Sequence, residues 1–204
     1  MDVKVFCCRG FENCYGLTIG DETAVIDLGS LTPEVAEFAS GANITKILLT
    51  HRHYDHILGV AELKELTGAE VYISALDECG LYNPEDCLRR GRLIPTRADV
   101  LLNDGDEINI GDEIIRVIAT PGHTVGSVCF AAGDYLFTGD TLFNANIGRC
   151  DLPTGNLQQM EESLKKLAGL DKDYIVYPGH GESSRLFYEI KNNPYLNALE
   201  RQDF

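Results

Sequence analysis

The pattern of apolar and polar residues divides the first part of the chain into short strands and two helices. Strands are predicted over residues 3–7, 14–19, 23–27, 44–49 and 70–74, and helices over residues 33–40 and 57–66. Thr32 is the predicted cap of the first helix, because Pro33 follows it and Gly41 ends the segment. The strand 44–49 is rich in branched apolar residues and lacks alternation, which predicts burial on both faces. This succession resembles the βαβ order of an open α/β sheet.

The second part of the chain is richer in strands. They are predicted over residues 100–102, 107–110, 114–120, 127–131, 135–138 and 174–177, with helices over residues 157–167 and from 185 to an interruption at Asn193-Pro194. The fourth and fifth of these strands form a predicted hairpin across residues 132–134. Residues 74–98 have a weak pattern, with a candidate helical turn over residues 87–93. The whole predicts two sheet-plus-helix halves packed face to face, an α+β or α/β protein with one domain over residues 1–204.

The composition is that of a folded protein from a reducing compartment. A hydrophobic fraction of 44%, with 8 Phe and 9 Tyr, is sufficient for a buried core in a chain of 204 residues. No run approaches the ~20 apolar residues that span a bilayer, and no basic-then-apolar leader precedes Val3. We therefore expect a cytoplasmic protein that does not bind a membrane. The seven cysteines form no C-x-x-C pair, so free thiols are expected.

The charge of the chain argues against one class of partner. A formal net charge of -15 is unsuited to a nucleic-acid surface, because phosphate backbones are met by clusters of Lys and Arg. Two bound divalent cations would leave the charge at about -11, so the protein would stay acidic. The acidic excess predicts a solvated surface and identifies no partner by itself.

All five histidines lie in loops that follow predicted strands. Residues 50–59 contain three of them together with one aspartate: His51, His53, Asp55 and His56. The other two, His123 and His180, each lie in a Pro-Gly-His sequence after an apolar segment. A single surface loop can be rich in histidine by chance, but this explanation does not account for all three loops. Imidazole and carboxylate groups at this density would be costly to bury without a cation.

A fourth loop adds another carboxylate. Asp140 follows the predicted strand 135–138 in the sequence Thr-Gly-Asp. The four loops together present seven candidate metal ligands: His51, His53, Asp55, His56, His123, Asp140 and His180. Seven nitrogen and oxygen donors exceed one tetrahedral zinc, and they suit two divalent cations that share a carboxylate and a water. A structural zinc would more often use cysteine and close its coordination shell.

The series His-x-His-x-Asp-His, Gly-His, Thr-Gly-Asp and Gly-His, over residues 51–180, resembles the metallo-β-lactamase superfamily. The resemblance implies an αββα sandwich with the site between the sheets at one edge. It implies one metal at His51, His53 and His123 and a second at Asp55, His56 and His180, with Asp140 bridging them. Zinc is the expected metal, with iron or manganese as alternatives.

Within the superfamily the chain is similar to the short bacterial glyoxalase II-like proteins, which are homologues of hydroxyacylglutathione hydrolase. Four stretches carry this likeness: residues 121–127 (PGHTVGS), 138–143 (TGDTLF), 148–151 (GRCD) and 193–196 (NPYL). The likeness implies hydrolysis of a small-molecule thioester of the hydroxyacylglutathione type. Longer glyoxalase II enzymes build much of their glutathione pocket from a C-terminal helical domain, so in this chain that pocket is expected to be incomplete or built differently.

The expected reaction is attack of a metal-bridging hydroxide on the thioester carbonyl. Two cations lower the pKa of a shared water towards ~7 and polarise the carbonyl oxygen. Asp55 or Asp140 would orient the hydroxide, and a thiolate of pKa ~8.5 leaves without a general acid. Arg149 is either a substrate anchor or a structural ion pair. Asp27 is either a carboxylate that steadies the histidine loop or a turn residue.

Three other functions are consistent with the same residues. A persulfide dioxygenase shares the fold and the Gly-Arg-x-Asp stretch, and it would hold a single iron at the positions of His51, His123 and Asp140. A lactone or lactam hydrolase would use both metals on a different carbonyl. A non-enzymatic protein would use its metals only to brace the fold.

Overall fold

The computed structural model describes residues 1–8, 12–87 and 92–200, with the backbone alone at residues 199 and 200. Its first sheet has six strands in the spatial order in which they follow along the chain: β1 (Asp2–Cys8), β2 (Glu12–Ile19), β3 (Glu22–Ile26), β4 (Ile44–Leu48), β5 (Glu70–Ser74) and β6 (Val100–Leu102). The first three strands pair antiparallel, whereas β3 to β6 are parallel neighbours. The βαβ succession expected from the sequence is confirmed in this parallel half.

The second sheet is formed by the later part of the chain. Its strands, among the described residues, are β7 (Glu107–Ile110), β8 (Glu113–Ala119), β9 (Val128–Ala132), β10 (Tyr135–Gly139), β13 (Ile175–Pro178) and β14 (Ser184–Arg185). Their spatial order is β14-β13-β10-β9-β8-β7, with β10 and β13 parallel. The hairpin predicted across residues 132–134 is the antiparallel pair β9–β10. Between β10 and β13 the chain forms a separate two-stranded ribbon, β11 (Leu142–Phe143) with β12 (Asn146–Ile147).

Helices lie on the outer faces of the two sheets. They are α1 (Pro33–Gly41), α2 (Tyr54–Ile57), α3 (Val60–Thr67), α4 (Leu157–Ala168), α5 (Leu186–Asn192) and α6 (Pro194–Glu200), with a 3₁₀ turn over Glu78–Leu81. In α1 the hydroxyl of Thr32 accepts a hydrogen bond from the Val35 amide, and proline follows the cap, as predicted. Within the described residues no helix is long and apolar enough to cross a membrane.

Three buried clusters show how the layers pack. The central one lies between the sheets and includes Tyr15, Leu48 and Phe137. A second packs α1 and α3 against the first sheet, and a third packs α4 and the C-terminal helices against the second sheet. Each sheet is thus buried on both faces, and the layers follow in the order helices, first sheet, second sheet, helices. The αββα sandwich is therefore confirmed.

Two of the predicted elements are corrected by the structure. The helix predicted over residues 57–66 is found but starts later than predicted, because a short helix ends at Ile57 and a separate one covers Val60–Thr67. Gly59 lies between them, where a Cβ atom would be 2.7 Å from Leu28 Cγ, so the chain turns tightly at this point. The strand after α1 is buried at its end but half-exposed at Thr45 and Lys46, so burial along both faces was also a wrong expectation. The candidate turn over residues 87–93 lies largely outside the described residues.

Parallel pairing brings the functional loops together. The loops that follow β3 and β4 leave the same edge of the first sheet, and those that follow β10 and β13 leave the same edge of the second. A hydrogen bond of 2.9 Å from the Val128 amide to the Thr50 carbonyl joins the two sheets at this edge. The carboxyl ends of parallel strands are where α/β folds place their sites.

Candidate metal centre

Three histidines form the first donor group at this edge. His51 and His53 lie in the loop after β4 and His123 lies in the loop after β8, and one ring nitrogen from each lies within 4.8 Å of the others. His53 Nδ1 is 2.7 Å from His123 Nε2. The opposite nitrogen of His123, Nδ1, donates to the carbonyl oxygen of Arg149 at 2.7 Å, which leaves Nε2 as the free lone pair. All three side chains are buried.

Asp55, His56 and His180 form the second donor group, again within 4.8 Å of one another. His56 Nε2 lies 3.4 Å from His180 Nε2, and that nitrogen of His180 lies 3.5 Å from an oxygen of Asp55. Asp55 and His180 are partly exposed, whereas the first group is buried throughout. The second group is therefore the more open side of the centre.

Asp140 lies between the two groups. Its Oδ1 is 3.4 Å from His56 Nε2, and its Oδ2 is 3.4 Å from His123 Nε2 and 3.5 Å from His180 Nε2. One carboxylate thus faces donors of both groups, as a bridging ligand must. The positions agree with the arrangement that the sequence resemblance implied, although the ligand roles themselves stay a prediction.

The donor set fits a pair of cations. His51 Nε2 and Asp140 Oδ1 are buried without a hydrogen-bond partner, which is costly unless something else satisfies them. His53 Nδ1 and His123 Nε2 lie so close together that both nitrogens face the same place. If both bind a metal, neither carries a proton, and they cannot form a hydrogen bond with each other. A cation held by the first group would satisfy His51 Nε2, and one held by the second group would satisfy Asp140 Oδ1, which faces His56.

The electrostatics of the histidines agree with this fit. Burial lowers the pKa of His51 well below its usual range and lowers the pKa of His53 to about 3. Both rings are therefore neutral at pH 7, the form in which imidazole binds a metal. Burial also lowers the pKa of His56, but the surrounding carboxylates, Asp140 foremost, outweigh it and raise that pKa to about 9. Carboxylates that favour a proton on His56 would favour a divalent cation beside it.

Asp27 lies directly behind the second donor group. It is 2% exposed, and its backbone has a left-handed φ of 53°, a conformation that Asp tolerates better than most residues. Oδ1 accepts from the Thr50 amide at 2.8 Å, and Oδ2 accepts from the Thr50 hydroxyl at 2.7 Å and from His56 Nδ1 at 2.9 Å. Asp27, His51 and His56 could also be grouped as metal ligands. Since the Asp27 oxygens are already engaged, we interpret this carboxylate as a support for the histidine loop.

Replacement of Asp27 by asparagine tests that support. The amide has one oxygen in place of two, so one of the donors from Thr50 or His56 would lose its acceptor. Such changes behind a metal ligand typically cost about 10–100-fold in metal affinity. We expect a loss of this size in a competition titration with a chromophoric chelator. The control is Asp134→Asn, since Asp134 is exposed and pairs with Lys172 away from the centre. Equal affinities in both variants would contradict the role.

The His180 loop is held by β2, which sequence reasoning did not anticipate. The Asn13 side chain donates to the carbonyls of Pro178 at 3.0 Å and Gly181 at 2.9 Å. Gly179 allows the loop to approach Asp140 closely, because a Cβ atom there would be 2.2 Å from Asp140 Oδ1. Glycine in this Pro-Gly-His sequence therefore has a steric reason in addition to its turn chemistry.

A cavity of about 580 Å³ opens above the centre. The candidate ligands His53, Asp55, His123, Asp140 and His180 form part of its lining. The rest is mostly apolar or aromatic: Tyr54, Phe143, Ile147 and Leu152. Arg149 also lines it and is the one Lys or Arg among the lining residues. A small organic substrate could place its carbonyl over the donors and its remainder against these side chains.

Arg149 forms an exposed ion pair. Its Nε and Nη2 donate to the two oxygens of Asp151 at 2.7 and 2.8 Å. Such surface pairs contribute little to stability, so a competing carboxylate could displace Asp151. The sequence offered two roles for Arg149, a structural ion pair or an anchor for the substrate. The structure shows the ion pair with Asp151, and the role as a substrate anchor stays a prediction. Cys150, beside Arg149, is not part of a disulfide.

Fold and site together define a class: an αββα sandwich with clustered histidine and aspartate donors at one edge of its sheets. Residues 9–180 match the sequence model of the metallo-β-lactamase superfamily. The chain belongs to this superfamily of metallo-hydrolases, and the resemblance drawn from its motifs is confirmed.

Particular relatives narrow the comparison. The hydroxyacylglutathione hydrolase of Yersinia pestis (strain Pestoides F) is 35% identical over 176 residues, which are 86% of this chain and 61% of that protein. The chain thus spans about three fifths of the length of that relative. The crystal structure of BLEG-1 B3 metallo-β-lactamase is similar with a TM-score of 0.88 and 30% identity, covering 96% of this chain and 99% of that one. The structure of TTHA1623 in a di-iron-bound form has a TM-score of 0.79 and 32% identity, covering 91% and 95%.

Proposed function

We propose that this protein is a dinuclear metallo-hydrolase that cleaves a small thioester of the hydroxyacylglutathione type. The observation that carries the proposal is the pair of three-residue donor groups that face one carboxylate, Asp140, in a cavity whose other walls are mostly apolar or aromatic. The similarity to a hydroxyacylglutathione hydrolase supports the substrate class.

His51, His53 and His123 would hold one metal, and Asp55, His56 and His180 the other, with Asp140 shared. Bound divalent cations would supply a nucleophilic oxygen at neutral pH and polarise the carbonyl of the substrate. Zinc is the metal we propose, because imidazole and carboxylate donors suit it. Iron is the alternative that the di-iron form of TTHA1623 makes worth testing.

The chain's own residues position the reactants. Asp27 and the Arg149 carbonyl fix the rings of His56 and His123 through their outer nitrogens. Asp55 is partly exposed towards the cavity, and its pKa stays below the usual range because hydrogen bonding from His180 and the charge of His56 outweigh burial. It therefore remains a carboxylate at pH 7, able to accept a proton or a hydrogen bond from the attacking group. The apolar wall of Phe143, Ile147 and Leu152 would exclude water from the acyl group.

A thioester suits this site better than an amide. A thiolate leaves with a pKa near ~8.5 and requires no proton donor. Among the described residues that line the cavity, we find no Lys, and both candidate acids are carboxylates of lowered pKa. The cavity thus offers an amine leaving group no carboxylic acid or ammonium donor, and the one hydroxyl in its lining is that of Tyr54.

Lactam hydrolysis is the second candidate, favoured by the similarity to BLEG-1 B3 metallo-β-lactamase over nearly the whole of both chains. A strained lactam depends less on protonation of its leaving nitrogen than an ordinary amide does, so the same donors could act on it. The experiment is a comparison of kcat/KM for S-lactoylglutathione, a lactone and a chromogenic cephalosporin, with the metal content measured on the same preparation. We expect two metals per chain and the thioester as the best substrate. A higher kcat/KM for the cephalosporin would overturn the thioester proposal.

The same preparation separates hydrolysis from oxygen chemistry. A persulfide dioxygenase would contain one iron and consume oxygen with glutathione persulfide. The presence of the complete second group, Asp55, His56 and His180, favours two metals. One iron per chain with oxygen uptake would overturn the hydrolase proposal, whereas two metals without oxygen uptake would support it.

A further inference from the structure

A buried ion pair lies behind the first donor group, outside the set of candidate ligands. Arg52 is 5% exposed and Asp77 is fully buried, and Arg52 Nε is 3.6 Å from Asp77 Oδ1. Arg52 lies between His51 and His53 in the chain, whereas Asp77 follows β5 in a segment whose sequence pattern predicted no element. A buried charged pair is costly to desolvate and is weak support for stability, so its placement beside the centre calls for another explanation.

The Asp77 carboxylate joins the two loops that carry the first donor group. Its Oδ2 accepts a hydrogen bond of 3.2 Å from the Arg52 amide, in the loop of His51 and His53. The same oxygen accepts a bond of 2.6 Å from the Thr124 hydroxyl, next to His123. One oxygen atom therefore fixes the distance between the backbone that presents two of the histidines and the loop that presents the third.

The surrounding backbone is shaped to admit this pair. A Cβ atom at Gly126 would be 2.6 Å from Asp77 Cγ, and one at Gly80 would be 2.5 Å from Arg52 Cβ. Both contacts are closer than real side chains allow, so glycine is required at each position while the pair stays in place. Arg52 also donates to the Thr154 hydroxyl at 2.8 Å, which holds its guanidinium against Asp77. Thr154 is a β-branched residue at a φ of 68°, a conformation that persists only where the surroundings fix it.

We propose that Asp77 is a positioning residue that selectively sets the geometry of the His51, His53 and His123 metal site, with Arg52 as its charge partner. The inference deepens the proposed function and rests on it, because it assigns Asp77 a role towards a metal that the first group would hold.

Selectivity follows from the different supports of the two groups. Asp77 bonds to Arg52 and Thr124, which flank the first group. The second group does not touch Asp77 and has its own supports: Asp27, which holds His56 as well as Thr50, and Asn13, which holds the His180 loop. Loss of Asp77 should therefore let the His123 loop shift relative to His51 and His53, while the second group keeps its own contacts.

Metal affinity is the readout, measured by competition with a chromophoric chelator. Wild-type protein is expected to bind two equivalents of Zn²⁺. In Asp77→Asn, one equivalent should bind about 10–100-fold more weakly and the other should be unchanged, as for other changes behind metal ligands. Thr124→Val removes only the hydroxyl bond and no charge, so it should weaken the same equivalent by a smaller factor. Two backgrounds identify the affected site: Asp77→Asn should weaken the single metal left in His180→Ala and should not weaken the one left in His123→Ala.

Two distant variants serve as matched controls. Asp99→Asn changes a carboxylate with partners like those of Asp77. It accepts one hydrogen bond from the backbone amide of Val71 and another from the ammonium group of Lys64. Thr45→Val removes a hydroxyl that donates to Glu22 at 3.0 Å. Both should leave the two affinities at wild-type values. A merely structural role of Asp77 would lower the unfolding temperature of the metal-free Asp77 and Thr124 variants and would weaken both equivalents, without selecting one of them.

The outcomes separate the two proposals. Wild-type protein that binds two metals, with unchanged or equally weakened affinities in Asp77→Asn and Thr124→Val, overturns the role of Asp77 alone. Wild-type protein that binds no metal overturns the proposed function together with it. If Asp77→Asn fails to fold because Arg52 is left unpaired, the Arg52→Met/Asp77→Asn double variant removes both charges, and Thr124→Val removes neither. Selective weakening in these two variants supports the proposal, and its absence contradicts it.

Discussion

Replacement of Asp140 by alanine is expected to release metal and abolish hydrolysis together. Asp140 is the one candidate ligand with oxygens facing donors of both groups, 3.4 Å from His56 and 3.4 Å from His123. Its removal leaves each group with three donors and no shared carboxylate. The loss in kcat should reach at least the ~10²–10³-fold that removal of one transition-state donor costs. The measurements are metal content and S-lactoylglutathione turnover on the same preparation.

The matched control for Asp140→Ala is Asp134→Ala. This variant removes an exposed carboxylate directly before β10, at the end of the strand that is opposite to Asp140. Asp134 forms an ion pair with Lys172. The Asp134→Ala variant is expected to retain both metals and full turnover. Asp140→Asn adds a finer comparison, because it keeps the shape of the side chain and one oxygen. Two bound metals with wild-type turnover in Asp140→Ala would refute the bridging role.

Removal of metal with a chelator should both abolish hydrolysis and destabilise the fold. Without metal, Asp140 Oδ1 and His51 Nε2 are buried with no hydrogen-bond partner. A ligand present at 1,000 times its Kd stabilises the folded state by about 4 kcal/mol. In a protein of this size each kcal/mol shifts Tm by roughly 2–4 °C, so Tm should fall by roughly 10 °C for one such site.

Differential scanning calorimetry with and without chelator measures this effect, and Zn²⁺ added in excess should restore both Tm and turnover. Asp140→Ala provides the internal comparison, since a chain that has already lost its metal should respond little to chelator. An unchanged Tm in the wild-type protein, with turnover lost, would mean that the metals serve catalysis without contributing to folding.

Local patterns predicted most of the secondary structure. The N-cap at Thr32, the hairpin across residues 132–134 and the break before Pro194 all depend on neighbouring residues, and all three are found. Errors occurred where a distant contact decides the conformation. Gly59 interrupts the helix predicted over residues 57–66 because the chain there packs against Leu28 and Leu31. The two-residue strands of the β11–β12 ribbon are too short to carry a periodic pattern.

The candidate site was predicted unevenly. All seven candidate ligands were identified from residue type and loop position, and the structure brings them together. Arg52 and Asp77 were missed. Arg52 could have been noticed as a charged residue between two candidate ligands, but Asp77 lies in a weakly patterned segment that offered no signal. Its partner Thr124 is 47 positions away in sequence, so only the packed structure connects them.

The sequence by itself determined the chemistry of the centre, because histidine and aspartate at the ends of strands are a local property of the four loops. It also determined the layer architecture, through the alternation of strands and helices. The tertiary structure alone decided which donors face each other, since His53 and His123 are separated by 70 positions and His56 and His180 by 124. It likewise decided which buried carboxylates support them. Such contacts depend on the order in which strands pair, and that order is fixed by the packing of the whole sandwich.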